Sequence, residues 1–295
     1  MTTLAPEGAG ILVVEPVSRD LGGFSVRRIL PAAKRRSVGP FVFLDHMGPA
    51  LLRAGEGMDV RPHPHIGLAT LTYLVAGRIR HRDTLGSVQD IVPGAVNWMT
   101  AGRGIAHSER TAPDDRLAPH TVHGMQSWIA LPAAHEETEP GFAHHDAALL
   151  PRVGERGLDI RLIAGAAFGL VSPVRTFSET LQADLRLAPG VRLALPREQP
   201  ERALYILDGA LTIAGETHGA HHMLVLCPGD AFEIEAAAPT RALLLGGEPL
   251  DGPRHLWWNF VSSRRERIEQ AKADWQQGRF GAIAGETEFI PLPEH

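Results

Sequence analysis

A unit of strand, turn and strand occurs twice in the chain and limits the folds open to it. Residues 73–77 (YLVAG) match residues 205–209 (YILDG) at an offset of 132 residues. A Pro-Gly pair follows each copy, Pro93-Gly94 in the first and Pro228-Gly229 in the second, at an offset of 135 residues. Similarity at a long, nearly constant offset is the sequence signature of a repeated structural unit. The 295 residues of the chain therefore predict two similar β-domains.

Short apolar stretches separated by turn signals cover most of the chain, which contains 31 Gly and 23 Pro. Turn pairs such as Ala76-Gly77 and Asp208-Gly209 stand between them. Many short strands joined by turns are typical of sandwiches and barrels. We therefore predict an all-β fold with two β-barrel or jelly-roll domains. The predicted strands are residues 68–75, 88–92, 125–131, 158–163, 178–187, 204–207, 211–213, 223–226 and 243–245.

A short helix is predicted near the C-terminal end of the chain. The stretch from Ser263 to Glu266 has the form of a capping box, in which the first and last side chains cap the helix start. Ile268, Ala271 and Trp275 follow at helical spacing, and a glycine follows them where a helix would end.

Composition excludes several classes of protein. A formal net charge of −5, with a sequence pI near 6.3, argues against a surface that binds nucleic acid directly. The single cysteine, Cys227, excludes an internal disulfide and fits a reducing compartment. The first 14 residues have no basic region before an apolar one, and no apolar run is long enough to cross a bilayer. We expect a soluble, cytoplasmic protein without membrane partners, and we expect a monomer.

Two short motifs contain residue types that bind metal ions. They are His63-Pro64-His65 and His107-Ser108-Glu109, and each lies in sequence typical of a β-strand. Side chains two residues apart in a strand point to the same face of the sheet. Three imidazoles and one carboxylate can therefore meet at one point if both strands turn that face inward. Three nitrogens and one oxygen suit a first-row divalent transition metal and do not suit calcium or magnesium.

The second copy of the repeat lacks these residue types. An offset of 132 carries the first two histidines onto Leu195 and Arg197, and an offset of 135 carries His107 and Glu109 onto Ala242 and Leu244. None of these four residues is a metal ligand of the expected kind, so we predict that the second domain is metal-free.

Two longer segments resemble the metal motifs of the cupins, and specifically those of the pirin family. They are residues 62–77 (PHPHIGLATLTYLVAG) and 93–110 (PGAVNWMTAGRGIAHSER). The resemblance covers essentially the whole chain and is strongest between residues 20 and 135. Shorter matches are Gly39-Pro40-Phe41, Leu44-Asp45-His46, residues 99–104 (MTAGRG) and His123-Gly124-Met125-Gln126 before Trp128.

One departure from the general cupin pattern makes the resemblance specific to pirins. In a generic cupin a glutamate follows the paired histidines four or five residues later, but here Ala69 and Thr70 occupy those places. The carboxylate is supplied instead by Glu109, which is the pirin arrangement.

The resemblance implies a bicupin with a short C-terminal helix. Residues 1–135 would form an N-terminal metal-binding cupin domain, and residues 136–295 a C-terminal metal-free cupin domain that includes the helix. One divalent transition metal per chain, with Fe²⁺ as the first choice, would be bound by His63, His65, His107 and Glu109. Copper, nickel, manganese, cobalt and zinc are the alternatives that this donor set leaves open.

The resemblance also implies an activity. Pirin-like proteins are associated with quercetin 2,3-dioxygenase activity, in which dioxygen opens a flavonol with loss of carbon monoxide. The partners would then be dioxygen and a small aromatic hydroxylated substrate. The residues alone support only metal-dependent oxygen chemistry on such a molecule. Among the ligands, Glu109 is the one that can act as a general base on a substrate hydroxyl, so we assign it the catalytic role.

The alternative function is regulatory and non-enzymatic. Some pirin-like proteins are thought to act as metal-dependent regulators, and this chain would do so through a regulatory protein partner. A redox-inert cupin isomerase or a binding protein is a third interpretation. Four protein ligands leave one or two metal positions open, and an open position favours the enzyme.

Bulky apolar residues near the ligands are candidates for the wall of a substrate pocket. They are Trp98, Met99 and Trp128. Strand alternation predicts that some of them face away from the site. Arg103 is interpreted as one half of a surface salt bridge. Three further histidines, His46, His120 and His123, are candidates for hydrogen-bond donors behind the ligands, with ordinary structural positions as the alternative.

Overall fold

A computed structural model of the chain describes residues 10–20 and 24–294. The N-terminal segment in which we predict no secretion signal therefore lies mostly outside the described residues. The described part contains 26 strands and one α-helix. The strands of the first half are β1 Leu12–Val14, β2 Val17–Asp20, β3 Ser25–Leu30, β4 Phe41–Leu52, β5 Asp59–His65, β6 Leu68–Ala76, β7 Ile79–Asp83, β8 Val88–Ile91, β9 Val96–Thr100, β10 Ile105–Arg110, β11 His120–Ala130, β12 Gly141–His145 and β13 Arg152–Glu155.

The second half of the chain continues the same pattern of short strands, and the predicted all-β fold is confirmed. These strands are β14 Leu158–Ala164, β15 Ala166–Ala167, β16 Leu170–Val171, β17 Thr180–Leu187, β18 Arg192–Ala194, β19 Glu201–Asp208, β20 Ala210–Ile213, β21 Glu216–Gly219, β22 Met223–Leu226, β23 Glu233–Ala236, β24 Thr240–Gly247, β25 His255–Trp257 and β26 Phe260–Ser262. Each of the nine predicted strands overlaps one of them. The largest difference is β11, which begins five residues before the predicted start at Met125, because the polar residues that precede Met125 give no strand pattern.

The chain forms two compact units that interleave along the sequence. The N-terminal unit comprises Ser18–Arg28, Val42–Ala147 and Leu250–His295, and the C-terminal unit comprises Met1–Val17, Ile29–Phe41 and Ala148–Pro249. Chain order alone places the division after residue 135, whereas contacts group the last 46 residues with the N-terminal unit. The physical reason is a buried apolar cluster in which the side chains of Ile66, Phe260, Ile268 and Ala271 come together.

Each unit contains a seven-stranded sheet and a four-stranded sheet. The strand orders in the N-terminal unit are β12-β9-β6-β11-β4-β3-β2 and β5-β10-β7-β8. Those in the C-terminal unit are β1-β22-β19-β24-β17-β14-β13 and β18-β23-β20-β21. The two pairs of sheets have the same strand order apart from the origin of one edge strand, which is β12, after β11, in one unit and β1, at the start of the described residues, in the other. The predicted duplication is therefore confirmed.

The structure confirms one half of the sequence repeat and corrects the other. Gly77 and Gly209 end equivalent strands with φ of +84° and +82°. Pro93-Gly94 precedes β9, but Pro228-Gly229 follows the equivalent strand β22, so this match was wrong. The true counterpart of Gly94 is His221. The Gly94 N–H donates to Leu74 O at 2.9 Å, and the His221 N–H donates to the equivalent Ile206 O at 2.7 Å.

The helix α1, Arg265–Gln276, begins and ends close to the predicted residues. The predicted capping box is wrong, because the Ser263 hydroxyl donates to Glu136 Oε1 at 2.7 Å and does not cap the helix. Gly278 follows the helix with φ of +68°, as a C-terminal stop requires. No helix in the described residues is long and apolar enough to cross a membrane.

We predict that Gly77→Ala destabilises the protein far more than Gly86→Ala does. Both residues have a left-handed backbone, with φ of +84° and +89°. A Cβ at Gly77 would lie 2.1 Å from Thr121 O, whereas a Cβ at Gly86 has no atom within 4 Å. The left-handed strain costs about 1–2 kcal/mol in both variants, and the collision should raise the cost for Gly77→Ala to about 3 kcal/mol or more. Urea unfolding midpoints measure the difference, and equal shifts for the two variants would contradict it.

Candidate metal centre

The two ligand motifs lie side by side on neighbouring strands of the four-stranded sheet. Strand β5 pairs with β10 in antiparallel register, so that His63 lies opposite His107 and His65 lies opposite Ile105. One ring nitrogen from each of His63, His65 and His107 falls within 4.8 Å of the other two. The strand alternation read from the sequence therefore does bring the three predicted histidines together.

All three histidines are buried as neutral imidazoles. Their side chains expose at most 6% of their surface. Burial lowers the pKa of His63 to about 4, and the pKa values of His65 and His107 lie well below the usual value for the same reason. A neutral imidazole is the form that donates a lone pair to a metal ion.

Backbone hydrogen bonds fix which nitrogen of two of these rings faces the site. The Nδ1–H of His63 donates to Arg61 O at 2.9 Å, and the Nδ1–H of His65 donates to Asn259 O at 3.1 Å. Each ring therefore presents an unprotonated Nε2. Nε2 of His65 lies 3.1 Å from Nε2 of His107. Converging imidazole nitrogens suit a first-row divalent metal, so the residues fit the ion that the sequence predicts.

Glu109, the fourth predicted ligand, lies in the same cavity but apart from the three histidine nitrogens. The pairing of β10 with β5 shifts register between His107 and Glu109, which re-aims the carboxylate. Its Oε1 accepts a hydrogen bond from the Thr72 hydroxyl at 3.1 Å. Burial raises the pKa of Glu109, although the Thr72 hydrogen bond opposes the shift. The metal-ligand role of Glu109 remains a prediction.

The histidines lie at the wall of a cavity of about 490 Å³, within the usual range for small-molecule sites. The rings of Phe43 and Trp128 stack beside them, with centroids 3.8 Å apart and planes 10° apart. Trp128 thus lines the cavity as predicted. Trp98 and Met99 do not line it: both are buried, and Met99 belongs to an apolar core cluster. The other lining residues are Val26, Arg28, Asp45, Met47, Met58, Asp59, Val60, Arg61, Glu109, Gln126, Trp258, Asn259 and Ile290.

Residues from the C-terminal segment complete the site, and no pattern in the sequence predicted them. Asn259 supplies the carbonyl that orients His65, and the neighbouring Trp258 lines the cavity with a left-handed backbone at φ of +52°. Ile290 lines the cavity as well, and its N–H donates to Pro62 O at 2.8 Å. These residues lie about 150 positions or more beyond the ligand motifs, too far for spacing arguments to connect them.

A second pair of residues beside the ligands was also missed. His81 and Asp83 lie on β7, the other neighbour of β10, and both are almost fully buried. His81 Nδ1 lies 3.3 Å from His107 Nδ1, and His81 Nε2 lies 2.9 Å from Asp83 Oδ2. Their spacing of two residues on a strand was a usable signal, since it repeats that of the ligand motifs.

The other candidate histidines do not line the cavity. Nε2 of His46 lies 2.8 Å from Nε2 of His123, and His120 Nδ1–H donates to Ala118 O at 3.2 Å. None of the three is among the residues that line the cavity. Arg103 forms an ion pair with Glu139 at 2.8 Å, and both side chains are exposed, which confirms the surface salt bridge.

The C-terminal unit has apolar residues at three of the four positions where the N-terminal unit has its predicted ligands. Ala242 and Leu244 lie on β24, the counterpart of β11, so their match to the second motif was wrong. The counterpart of β10 is β23, which places Phe232 and Ile234 at the positions of His107 and Glu109. Leu195 keeps the predicted position, since its N–H donates to Phe232 O at 2.9 Å. A metal-free C-terminal unit remains a prediction.

Two units with similar pairs of β-sheets, and converging buried histidines found in one of them among the described residues, are features of a bicupin. Sequence comparison agrees. The family model described as Pirin matches residues 23–129, and the model described as Pirin C-terminal cupin domain matches residues 182–281. A pirin-like protein of Caulobacter vibrioides is 50% identical over 289 residues, which cover 96% of this chain and 99% of the relative. The chain therefore belongs to the pirin family.

Two further comparisons bear on activity. A protein of Pseudomonas aeruginosa, whose name proposes quercetin 2,3-dioxygenase activity, is 42% identical over 266 residues, covering 89% of this chain and 82% of the relative. A crystal structure described as quercetin 2,3-dioxygenase from Acinetobacter baumannii matches with a TM-score of 0.87 at 37% identity. That match covers 97% of this chain and 96% of the other.

We predict at most one metal ion per chain, because only one set of converging ligands is present in the described residues. Elemental analysis of untagged protein should give a stoichiometry no higher than about one. His107→Ala should abolish retention of the ion through gel filtration, whereas the control His120→Ala should leave it unchanged. A reproducible second ion, or full retention in His107→Ala, would contradict the site.

Proposed function

We propose that this pirin-family chain is a metal-dependent dioxygenase that opens the ring of a flavonol such as quercetin. The observation that carries the proposal is the position of His63, His65 and His107 at the wall of a cavity with stacked aromatic rings. A closed structural metal site needs no such cavity, whereas a site that turns over a planar substrate does. The names of the relatives from Pseudomonas aeruginosa and Acinetobacter baumannii support the same substrate class.

We propose Fe²⁺ as the bound metal, with copper, nickel, manganese, cobalt or zinc as alternatives. His63, His65 and His107 would hold the ion through Nε2, with Glu109 as the fourth ligand. When bound, such an ion supplies Lewis acidity toward a substrate hydroxyl and reactivity toward dioxygen. We further propose that the protein works in the cytoplasm as a monomer, without direct contact to nucleic acid.

The aromatic wall would orient the substrate. Phe43 and Trp128 lie nearly parallel, and Trp128 also meets the edge of His65, with ring centroids 5.0 Å apart. A flat ring that packs against this wall is brought next to the histidines. Met47 and Val60 line the same cavity and give it an apolar surface, which favours an aromatic substrate over water.

Glu109 would act as the general base. Its carboxylate lines the cavity beside the histidines, so a substrate hydroxyl directed to that end can give its proton to a Glu109 oxygen. Thr72 holds the carboxylate in place, since its hydroxyl lies 3.1 Å from Glu109 Oε1 and 2.8 Å from the Gln126 side-chain oxygen position. The Thr72 hydroxyl has one proton to donate. If the Gln126 amide is oriented so that its N–H₂ donates to the Thr72 oxygen, the Thr72 hydroxyl can donate to Glu109.

The direct test is turnover of quercetin by iron-reconstituted protein. We expect one dioxygen consumed and one carbon monoxide released per flavonol, because both atoms of dioxygen enter the products of ring opening. His63→Ala should abolish the reaction, and the matched control His120→Ala should keep it. Absence of oxygen uptake with iron, copper, nickel, cobalt and manganese in turn would contradict the proposal and favour the regulatory function through a protein partner.

The role of Glu109 is tested in the same assay. Glu109→Gln keeps the size of the side chain and an oxygen atom but removes the base, so turnover should fall by about 10²-fold or more. Metal content, measured in parallel, should fall much less than turnover. The control Glu139→Gln changes an exposed carboxylate that pairs with Arg103 and should leave turnover unchanged. Near-normal turnover by metal-loaded Glu109→Gln would show that another group is the base.

A further inference from the structure

Asp83 and His81 form a buried chain of hydrogen bonds that ends on His107. Asp83, His81 and His107 expose 1%, 3% and 1% of their surface, so water does not reach these contacts. The two residues of β7 lie next to β10 in the sheet, where His107 pairs with Asp83 and Glu109 pairs with His81. His81 is also held by Phe142, whose ring stacks on the imidazole at 4.4 Å with a tilt of 17°. The ring therefore has one well-defined orientation.

Backbone N–H groups hold Asp83, which is one end of this chain of hydrogen bonds. Asp83 Oδ1 accepts hydrogen bonds from the N–H groups of Leu85 at 2.9 Å and Ser87 at 3.0 Å. Burial opposes ionisation of Asp83, but hydrogen bonds from His81 and Ser87 hold its pKa below the usual value. The two backbone donors on Oδ1 favour the ionised carboxylate, and Oδ2 accepts the hydrogen bond from His81 Nε2–H at 2.9 Å.

The position of the ring proton on His81 determines which nitrogen of His107 carries a proton. If His81 is neutral and carries its proton on Nε2, its Nδ1 has a lone pair. His107 Nδ1, 3.3 Å from His81 Nδ1, would then donate its own proton to it. The remaining nitrogen of His107, Nε2, is then unprotonated and faces Nε2 of His65 at 3.1 Å. Two lone pairs at this distance repel each other until a cation lies between them.

We propose that Asp83 is a positioning residue that sets the tautomer of His107 through His81 and thereby sets the affinity of the centre for its metal ion. The inference rests on the metal-binding part of the proposed function and is independent of the flavonol reaction. A carboxylate that orients a metal-binding histidine is a general device, and here the orientation passes through a second imidazole.

Asp83→Asn should reverse the direction of the hydrogen bonds in this chain, although the side chain keeps nearly the same shape. The amide has one acceptor oxygen, which the N–H groups of Leu85 and Ser87 occupy. Its N–H₂ group then faces His81 Nε2, which must become the acceptor. The proton of His81 then lies on Nδ1 and is donated to His107 Nδ1. His107 Nδ1 is therefore unprotonated, and His107 carries its proton on Nε2. The lone pair that the metal ion needs is lost.

The first test measures Co²⁺ binding to the metal-free protein by chelator competition, with visible absorption as the readout. We expect Asp83→Asn to weaken binding by about 10–100-fold, the usual effect of losing a group that orients a ligand. The control Asp90→Asn removes a carboxylate of the neighbouring strand β8 that pairs with Arg80, outside the site, and should leave the affinity unchanged. Equal affinity of wild type and Asp83→Asn, or no Co²⁺ binding by wild type, would overturn the proposal.

The second test separates tautomer control from a loss of packing. His81→Phe removes the wrongly placed N–H, so the double variant Asp83→Asn/His81→Phe should bind Co²⁺ as tightly as His81→Phe alone. Additive losses would mean that Asp83 acts only through packing. Long-range ¹H–¹⁵N NMR of metal-free wild-type protein reads the tautomer directly and needs no variant to fold. The proposal requires His107 protonated on Nδ1, and protonation on Nε2 would overturn it.

A failure of the flavonol assay is distinguishable from a failure of this proposal. Protein that binds Co²⁺ with the expected dependence on Asp83 but does not consume quercetin supports the tautomer chain and rejects only the proposed reaction.

Discussion

Three neutral imidazoles lie close together in a buried site, and their nitrogen lone pairs repel one another. The rest of the site depends on how this repulsion is balanced. The ring centroids of His63, His65 and His107 lie 4.4 to 5.0 Å apart. Protonation of these rings is unfavourable because burial opposes the charge. Nitrogen lone pairs held this close are stabilised by a cation among them. The arrangement of the three histidines is therefore unfavourable without the metal ion and favourable with it.

Groups around the histidines keep that arrangement from relaxing. Asn259, from the end of the chain, holds His65, and the Arg61 carbonyl holds His63. On the other side, Ser108, between two predicted ligands, donates to the carboxylate of Glu286 at 2.7 Å. Because the C-terminal segment belongs to the same compact unit as the ligands, its contacts link the stability of the last 46 residues to the geometry of the centre.

Sequence reasoning found the parts of the site that depend on local periodicity. His63, His65 and His107 were predicted because strand alternation is local, and the Tyr–Gly repeat was correct because a turn glycine must follow each copy. The errors came from contacts between distant segments. Ser263 has the right neighbours for a cap, but its hydroxyl donates to Glu136. Trp98 is close to the ligands in sequence but is buried outside the cavity. The Pro-Gly match failed because equivalent strands are joined by loops of different length.

The most direct test of the central claim is the position of the metal ion in crystals of iron-loaded protein, located by anomalous diffraction on both sides of the iron absorption edge. The account predicts one peak per chain, about 2.0–2.2 Å from Nε2 of each of His63, His65 and His107. A peak that contacts an Nδ1 atom of these rings, or a peak elsewhere with none between the three Nε2 atoms, would contradict it.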